Sequence, residues 1–177
     1  MTALMTGIRL TTPHSVAEAL AMRQQNPRSR YLAGGTDLVV NMRRGIAAPD
    51  ALIDLSAIEE LCVIESGGHG VIVGSGVTIA ALAQNQLIKS HYRALAEAAE
   101  SIAGPGHRAL ATVGGNLCLD TRCIYYNQSE WWRHANDFCL KLGGTVCHVA
   151  PQGQRCHAAY SGDLAPVLLA LGAKIEI

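Results

Sequence analysis

Apolar and polar residues form short runs along the chain, and glycines and prolines separate them. Residues 7–12 predict a short strand, and residues 13–27 follow with the apolar spacing of a helix. Ser15 is predicted to cap this helix, with Glu18 three residues later in capping-box position. Pro27 lies beyond the helix end, where proline cannot continue it. The pattern therefore predicts a strand followed by a capped helix.

Strand and helix patterns alternate as far as residue 117. Residues 30–45 predict a strand, a glycine turn and a helix. Residues 51–56 and 61–79 predict three short strands joined by glycine turns, and Cys62 is placed in the core of one of them. From residue 78 to 104 the apolar spacing becomes helical, and residues 161–177 predict a helix and a final strand. This order of elements indicates an α/β domain.

Residues 118–160 interrupt the pattern. They are rich in Cys, His, Trp, Asn and Gln, have little aliphatic periodicity, and hold five of the six cysteines. The simplest interpretation is a metal-binding insertion in a loop of the α/β domain. Cys118, at its start, is interpreted as a small buried side chain.

Composition restricts the class of protein. With 177 residues, 49% of them hydrophobic and 16% charged, the chain suits one domain with a buried core. Fourteen basic residues balance fourteen acidic ones, which disfavours a nucleic-acid or anionic-membrane partner. No leader pattern and no apolar run of about 20 residues is present, so a cytoplasmic location is predicted. Thiols stay reduced there, and clustered cysteines then favour metal binding or catalysis over disulfides.

Two glycine loops are candidates for contact with a ligand. They are "AGGTDL" at residues 33–38 and "TVGGNL" at residues 112–117. Glycine allows the backbone to approach a ligand closely, and its amides can donate to phosphate oxygens. Neither loop is GxGxxG or a P-loop, so nicotinamide-type binding and NTP hydrolysis are disfavoured. Each loop alone is a weak signal.

Together with "SGDLAPVLLALGA" at 161–173, these loops resemble the FAD-binding subunits of the molybdenum hydroxylase family. The resemblance implies an α+β fold of the PCMH/vanillyl-alcohol-oxidase type, made of two α/β subdomains at about 1–56 and 57–177. By this resemblance the second subdomain would be incomplete at its C-terminal side, and a further C-terminal domain typical of the family would lie outside these 177 residues. Residues 118–160 would be an inserted iron–sulfur loop.

The resemblance also implies which residues contact FAD. The first loop would cradle the pyrophosphate, the second would form another flavin contact, and two further residues would lie near the cofactor. These residues are Tyr31, Leu32, Ala33, Gly34, Gly35, Thr36, Asp37, Leu38, Ile102, Thr112, Val113, Gly114, Gly115, Asn116 and Asp163. An alternative for Asp163 is the N-cap of the helix that follows it.

The spacing of four cysteines leaves their ligand open. Cys123, Cys139, Cys147 and Cys156 are separated by 15, 7 and 8 residues. The absence of CxxC pairs disfavours a zinc ribbon, and bacterial ferredoxin spacing is absent as well. Four thiolates can still hold either a zinc ion or a [4Fe–4S] cluster.

The insertion resembles that of the 4-hydroxybenzoyl-CoA reductase branch of the family, including the "YNQS…WR" run before the second cysteine. That resemblance implies that the four cysteines hold a [4Fe–4S] cluster, with Ile124 beside the first ligand and close to FAD. His134, His148 and His157 are interpreted as hydrogen-bonding or surface residues.

The function implied by the resemblance is electron transfer, with no catalytic residue in this chain. Electrons would pass from ferredoxin through the cluster and FAD to [2Fe–2S] clusters in a γ subunit. They would then reach a molybdopterin cofactor in an α subunit. Two alternatives stay open: the FAD subunit of an aldehyde, CO or xanthine dehydrogenase-like enzyme, and a zinc-stabilised interaction module without enzymatic function.

Overall fold

The computed structural model describes residues 7–68 and 70–177, and the contacts among them separate two units. We call residues 8–36, 49–118 and 162–177 the core unit, and residues 37–48 and 119–161 the cysteine unit. Nearly all of the predicted insertion lies in the cysteine unit. The subdomain boundary predicted near residue 56 stays a prediction.

A parallel three-stranded sheet in the core unit contains the strands β1 (Arg9–Thr11), β2 (Arg30–Leu32) and β3 (Ala51–Asp54). The order is β1-β3-β2, with Leu10 opposite Leu52 and Tyr31 opposite Ile53. Ala51, Leu52 and Ile53 are buried because β3 is the central strand, whereas the two edge strands are largely exposed. The three strands predicted in this part of the chain are confirmed.

Helix α1 (Val16–Gln25) begins as its capping residues predict. The Ser15 hydroxyl accepts a hydrogen bond from the Glu18 amide at 3.2 Å. The Glu18 carboxylate accepts from the amide of His14 at 2.8 Å, one residue earlier than in a regular capping box. Ala19 then packs with Ile53 and Ile58 in a small apolar cluster.

A hairpin and three helices continue the core unit. Strands β4 (Ile64–Gly67) and β5 (Gly70–Val73) are antiparallel. In chain order, α2 (Leu38–Arg43) belongs to the cysteine unit, and α3 (Ile79–Gln84), α4 (Gln86–His91) and α5 (Arg93–Ser101) to the core unit. Asn85 ends α3 and caps α4, since its side chain accepts from the amides of Leu87 and Ile88. The helical region predicted from residue 78 is therefore confirmed but divided.

The main apolar cluster lies in the core unit, between α3–α5 and later segments. Those segments are α7 (Val113–Leu117) and α9 (Ala165–Ala170), whereas the short helix α6 (Pro105–Arg108) contributes no residue to the cluster. The buried members are Val77, Ile79, Leu82, Ala83, Ile88, Leu95, Ala96, Ala99, Ile102, Val113 and Leu164. This cluster holds the second glycine loop and the start of α9 on one common core.

The cysteine unit has little regular structure besides α2. It contains α8 (Glu130–Ala135) and a 3₁₀ turn at Leu140–Leu142. Ser129 caps α8 by accepting from the Trp132 amide at 3.3 Å. The segment therefore depends on side-chain contacts more than on helices or sheets.

Three sequence predictions are wrong. Residues 173–177, all of them described, form no strand, because no neighbouring strand pairs with them. Cys62 is exposed at the end of the 3₁₀ turn Glu59–Leu61. Cys118 is exposed at the end of α7, whose buried residues are Val113 and Asn116.

Within residues 7–68 and 70–177, none of the helices is both long enough and apolar enough to span a bilayer.

Candidate functional site

The first glycine loop lies directly against the segment that precedes the second. A β-carbon placed on Gly34 would lie 1.8 Å from the carbonyl oxygen of Leu110 and 2.9 Å from the amide of Ala111. Gly35 has a φ of +69°, in the left-handed region that side chains rarely adopt. Glycine is therefore required at both positions, by close packing at the first and by backbone conformation at the second.

The first loop presents free hydrogen-bond donors. Within the described residues, the backbone amides of Gly34, Gly35 and Thr36 have no hydrogen-bond partner, and all three residues are partly exposed. Successive amides in a turn of this kind form a concave set of donors that suits phosphate oxygens. This loop can therefore bind the pyrophosphate of a dinucleotide.

The second loop uses its donors inside the protein. The amide of Val113 donates to the Val77 carbonyl at 2.9 Å, and the amide of Gly114 donates to the Ser75 carbonyl at 2.8 Å. The Gly115 amide donates to the Thr112 hydroxyl at 3.1 Å. These three amides are therefore not free to donate to a phosphate group, because they anchor α7 on the preceding chain, and the predicted flavin contact of this loop stays a prediction.

Asn116 joins the second loop to the third motif. Its side chain is buried, and its Oδ1 accepts from the amide of Leu164 at 3.0 Å. Its Nδ2 donates to the carboxylate of Asp163 at 3.4 Å. Helix α9 has no side-chain cap, so the interpretation of Asp163 as its N-cap is wrong. Asp163 instead presents an exposed carboxylate beside the second loop.

The three motif segments thus meet in the core unit, but the predicted FAD residues differ in exposure. Ile102 and Val113 are buried in the apolar cluster, whereas Tyr31 is 38% exposed. Arg108, which sequence reasoning missed, donates to the carbonyls of Ile102 and Ala103 at 2.8 and 2.7 Å. The sequence signal that could have drawn attention to Arg108 is its position just after the Gly-Pro-Gly turn at residues 104–106.

Asp37 and Leu38, from the same motif as Gly34, belong to the cysteine unit. The Asp37 carboxylate forms an ion pair with Arg122 and accepts from the Asn41 side chain at 2.9 Å. Arg122 is the residue before Cys123, so this ion pair fixes the chain next to the first cysteine. The Asp37 carboxylate is therefore engaged within the protein.

The cysteine unit brings all four predicted metal ligands to one cavity. Cys123, Cys139, Cys147 and Cys156 line an open space of about 280 Å³, together with Tyr125, Tyr126, Lys141 and His148. Cys147 is buried, Cys123 and Cys139 are half-buried, and Cys156 is exposed. Residues up to 33 positions apart therefore face the same space.

The thiols surround this cavity without converging on one point. Among the described residues, no three Cys, His, Asp or Glu side chains are close enough together to hold a single metal ion. A zinc ion keeps each thiolate within about 2.3 Å, so its four ligands would have to converge. A cube of iron and sulfide holds its thiolates at separate corners. Four cysteine thiols that line one space are a donor set that suits either a [4Fe–4S] cluster or a zinc ion.

Backbone amides point at two of the thiols. Amides of Ala150 and His157, and also that of Val149, lower the pKa of Cys147 against the opposing effect of burial. The amide of Ala158 donates to the sulfur of Cys156 at 3.4 Å. Such donors stabilise thiolates, the form in which cysteine binds metal.

A charged network forms one wall of the cavity. Lys141 donates to Asp120 at 2.7 Å and lies 4.3 Å from the centre of the Tyr126 ring. The Tyr126 hydroxyl donates to Asp120 at 3.1 Å. Burial by itself would raise the pKa of Asp120. Hydrogen bonds from Lys141, the Thr121 amide and Tyr126 outweigh this effect and hold the pKa of Asp120 below its ordinary value. Burial, with Asp120 nearby, raises the pKa of Tyr126 to about 12.

The chain is strained immediately before Cys139. Asp137 and Phe138 have φ values of +54° and +56°, although neither is glycine. The Phe138 amide donates to the Arg133 carbonyl at 2.8 Å, and the His148 ring donates from Nε2 to the Phe138 carbonyl at 2.6 Å. These bonds hold the strained pair and so direct Cys139 at the cavity. His148 is a hydrogen-bonding residue, as the sequence predicted.

Comparison with known proteins places these features in a family. Residues 6–177 match the family model described as the FAD binding domain in molybdopterin dehydrogenase. The CO dehydrogenase from Hydrogenophaga pseudoflava, solved without the Mo-pyranopterin moiety of its cofactor, is similar with a TM-score of 0.61 and 34% identity. That similarity covers 62% of this chain and 39% of the other. The fold predicted from the resemblance is therefore confirmed.

Two curated relatives differ in how much of the chain they match. A xanthine dehydrogenase FAD-binding subunit from Escherichia coli O157:H7 is 34% identical over 105 residues, 59% of this chain and 36% of the relative. The aldehyde oxidoreductase FAD-binding subunit PaoB from Escherichia coli K12 is 31% identical over 175 residues, 95% of this chain and 54% of the relative. The chain thus spans about a third of the length of the first relative and about half of the length of the second.

The alignment with PaoB covers 95% of this chain, so it leaves out fewer residues than the predicted insertion at 118–160 contains. It must therefore include much of that cysteine-rich segment. The shorter alignments and the solved structures cover a part of the chain comparable in size to the core unit alone. The core unit joins the glycines of both loops and the helix of the third motif, and the chain belongs to the family of FAD-binding domains of molybdopterin dehydrogenases.

Proposed function

We propose that this chain is the FAD- and iron–sulfur-binding part of an electron-transfer subunit in a molybdenum-dependent oxidoreductase. The observation that carries the proposal is that Cys123, Cys139, Cys147 and Cys156 line one cavity in a chain of an FAD-binding family. In this proposal the four cysteines hold a [4Fe–4S] cluster, and the substrate reacts on a different subunit.

The chain's own residues have binding roles. The free amides of Gly34, Gly35 and Thr36 hold the pyrophosphate of FAD, and Asp163 accepts from a hydroxyl or ring N–H of the cofactor. Asn116 keeps Asp163 beside the second loop. The remaining predicted FAD contacts, including Ile124, which is 73% exposed, stay predictions.

FAD and the [4Fe–4S] cluster together would supply both two-electron and one-electron transfer. The flavin can hold an electron pair, whereas the cluster holds a single electron. The protein contributes insulation and position. Cys147 is 5% exposed, and Tyr126 and Lys141 line the same cavity as the thiols. Partial burial and amide donors to sulfur are the features by which a protein sets the potential of such a cluster.

The alignment favours an aldehyde-oxidising enzyme. The relative that aligns across most of the cysteine-rich segment is named an aldehyde oxidoreductase subunit. In this case an aldehyde and water give a carboxylic acid, protons and an electron pair on another subunit. FAD at the first glycine loop and a cluster at the four cysteines would then carry these electrons to an external acceptor.

A second candidate is 4-hydroxybenzoyl-CoA reductase, because the "YNQS…WR" run and the cysteine spacing resemble that branch. Electron flow is then reversed. Reduced ferredoxin supplies an electron pair, which with protons removes the ring hydroxyl as water and leaves benzoyl-CoA. The direction of flow separates the two candidates.

The proposed partners follow from the relatives' names, which describe FAD-binding subunits and medium chains of larger enzymes. We expect a molybdopterin-binding α subunit and a [2Fe–2S] γ subunit, with ferredoxin as donor in the reductase case. The cytoplasmic location stays a prediction. A zinc-stabilised module is the remaining alternative, and the same four cysteines would hold its zinc ion.

Anaerobic purification of the full subunit tests the cofactors. We expect extractable FAD and about four irons per chain, with an EPR signal on reduction. A colourless protein that contains zinc would contradict the proposal. In the holoenzyme, aldehyde-dependent reduction of a dye, against benzoyl-CoA formation from 4-hydroxybenzoyl-CoA and reduced ferredoxin, then identifies the substrate class.

A further inference from the structure

Arg133 is a buried cation in the cysteine unit. It lies on α8 and is 3% exposed. Its guanidinium donates to the carbonyl of Gln128, and to those of Arg44 and Gly45 at 3.1 and 3.0 Å. Its Nε has no hydrogen-bond partner among the described residues. A buried arginine normally faces a carboxylate or another anion, because an unbalanced buried charge is costly.

Within the described residues, none of the ion pairs includes Arg133. The carboxylate of Glu130, on the same helix, lies beside Gly45 at the surface and does not pair with the guanidinium. The carbonyls at the end of α2 satisfy hydrogen bonds but carry no net charge. They explain why Arg133 is fixed in place, and as the end of α2 they offer it only partial negative charge, so the guanidinium has no carboxylate partner within the described residues.

A cavity that contains one of the four predicted metal ligands adjoins this charge. Arg133 and Cys139 line the same small cavity, together with Tyr125, Phe138 and His148. Cys139 also lines the cavity of the four cysteines. The charge of Arg133 opposes the rise that burial causes in the pKa of Tyr126, another residue of that cavity. The guanidinium therefore acts electrostatically on the wall of the four-cysteine cavity.

We infer that Arg133 is the buried counter-charge of the four-cysteine site, a positioning residue that raises the reduction potential of the cluster held there. The inference rests on the proposed function. A cluster with four thiolate ligands is anionic and becomes more so on reduction, so a fixed nearby cation stabilises the reduced form. The low dielectric around a buried cation makes this effect larger than that of a surface charge.

The test compares Arg133→Met with Arg133→Lys in the complete subunit. Both variants lose the forked contacts to Arg44 and Gly45, but only the methionine variant loses the charge. We expect the midpoint potential of the four-iron EPR signal to become more negative in Arg133→Met and to stay near wild type in Arg133→Lys. Arg43→Met removes an exposed charge from the same unit, and its potential should change least.

Each outcome decides the inference. Equal potentials in wild type and Arg133→Met would overturn it, and so would equal shifts in both Arg133 variants. Retention of the cluster in Arg133→Lys but not in Arg133→Met would support a charge role, whereas loss in both would show a structural one. Absence of iron in the wild-type protein is a separate result, because it removes the proposed cluster itself.

Discussion

The two units of this protein are stabilised in different ways. The core unit contains both buried apolar clusters, with side chains such as Ile79, Leu82 and Ile88 almost fully inaccessible. The buried residues described in the cysteine unit are Met42, Tyr126, Arg133 and Cys147, and none of these belongs to either apolar cluster. One unit can therefore fold by hydrophobic burial, whereas the other is held mainly by hydrogen bonds and ion pairs between side chains and backbone.

This difference matters for function. Small units without an apolar core usually depend on disulfides or metals, and folding and metal binding are then coupled. The described cysteines form no disulfide. Loss of the cluster should therefore disorder the cysteine unit while the core unit stays folded, and the following variants test that separation.

The largest expected effect comes from Cys147→Ser, which removes the most buried of the four thiols. We expect loss of the four-iron EPR signal and fast amide hydrogen exchange across 119–161, because the hydroxyl is a poor ligand for iron. The core unit should keep its exchange protection. Mass spectrometry of exchanged peptides and iron analysis measure both results.

The matched control for that variant is Cys118→Ser, which changes an exposed cysteine that does not line the cavity. It should keep the full iron content. A Cys147→Ser protein that keeps a normal four-iron signal would contradict the ligand assignment.

Leu82→Ala tests the core unit instead. Leu82 is 1% exposed in the main cluster, so the substitution should lower the free energy of unfolding by about 2–5 kcal/mol. Urea unfolding followed by circular dichroism measures this loss. The control is Leu20→Ala, at a position on α1 that is 52% exposed. This variant should change the free energy of unfolding by less than about 0.5 kcal/mol. Equal effects of the two variants would refute the assigned core.

Gly34→Ala separates FAD binding from cluster binding. The new methyl group would lie 1.8 Å from the Leu110 carbonyl oxygen, so the loop must move, at a cost of about 1–3 kcal/mol. We expect FAD content to fall while iron content is retained. Gly106→Ala adds a methyl group with no neighbour within 4 Å and should leave both cofactors unchanged. Full FAD content in Gly34→Ala would show that this loop does not bind the cofactor.

The smallest effect is expected from Asp137→Gly, which relieves a left-handed backbone before Cys139. The gain in stability should be at most about 1 kcal/mol, because glycine also increases the entropy of the unfolded chain. Slower hydrogen exchange in residues 137–147 would show it. Asp137→Ala keeps a β-carbon at the same φ, so a gain in that variant would disprove the explanation.

Local sequence signals predicted much of the core unit. The caps at Ser15 and Ser129 follow from serine placed before an apolar or aromatic run, although only the first was predicted. The strands near residues 9, 30 and 51 follow from short β-type runs bounded by turn residues. The division of the helical region at Asn85 was missed, because an asparagine within an apolar periodic segment gives only a weak local signal.

Long-range contacts could not be predicted in the same way. No local pattern in the sequence predicts the hydrogen bond between Asn116 and Asp163, which are 47 residues apart. The same holds for the ion pair between Arg122 and Asp37, which are 85 residues apart. Cys62 and Cys118 were assigned to the interior from their residue type alone, whereas their exposure depends on the turns in which they lie.

By itself the sequence determined the order of elements, the three motifs of the FAD-binding family and the four cysteines as one set, since these depend on residue type and local spacing. Only the tertiary structure decided which loop amides stay free, because hydrogen bonds from the second loop end on Ser75 and Val77. It also placed the buried Arg133 beside the cysteine cavity without a carboxylate partner among the described residues. That placement depends on contacts between distant segments, which no local pattern records.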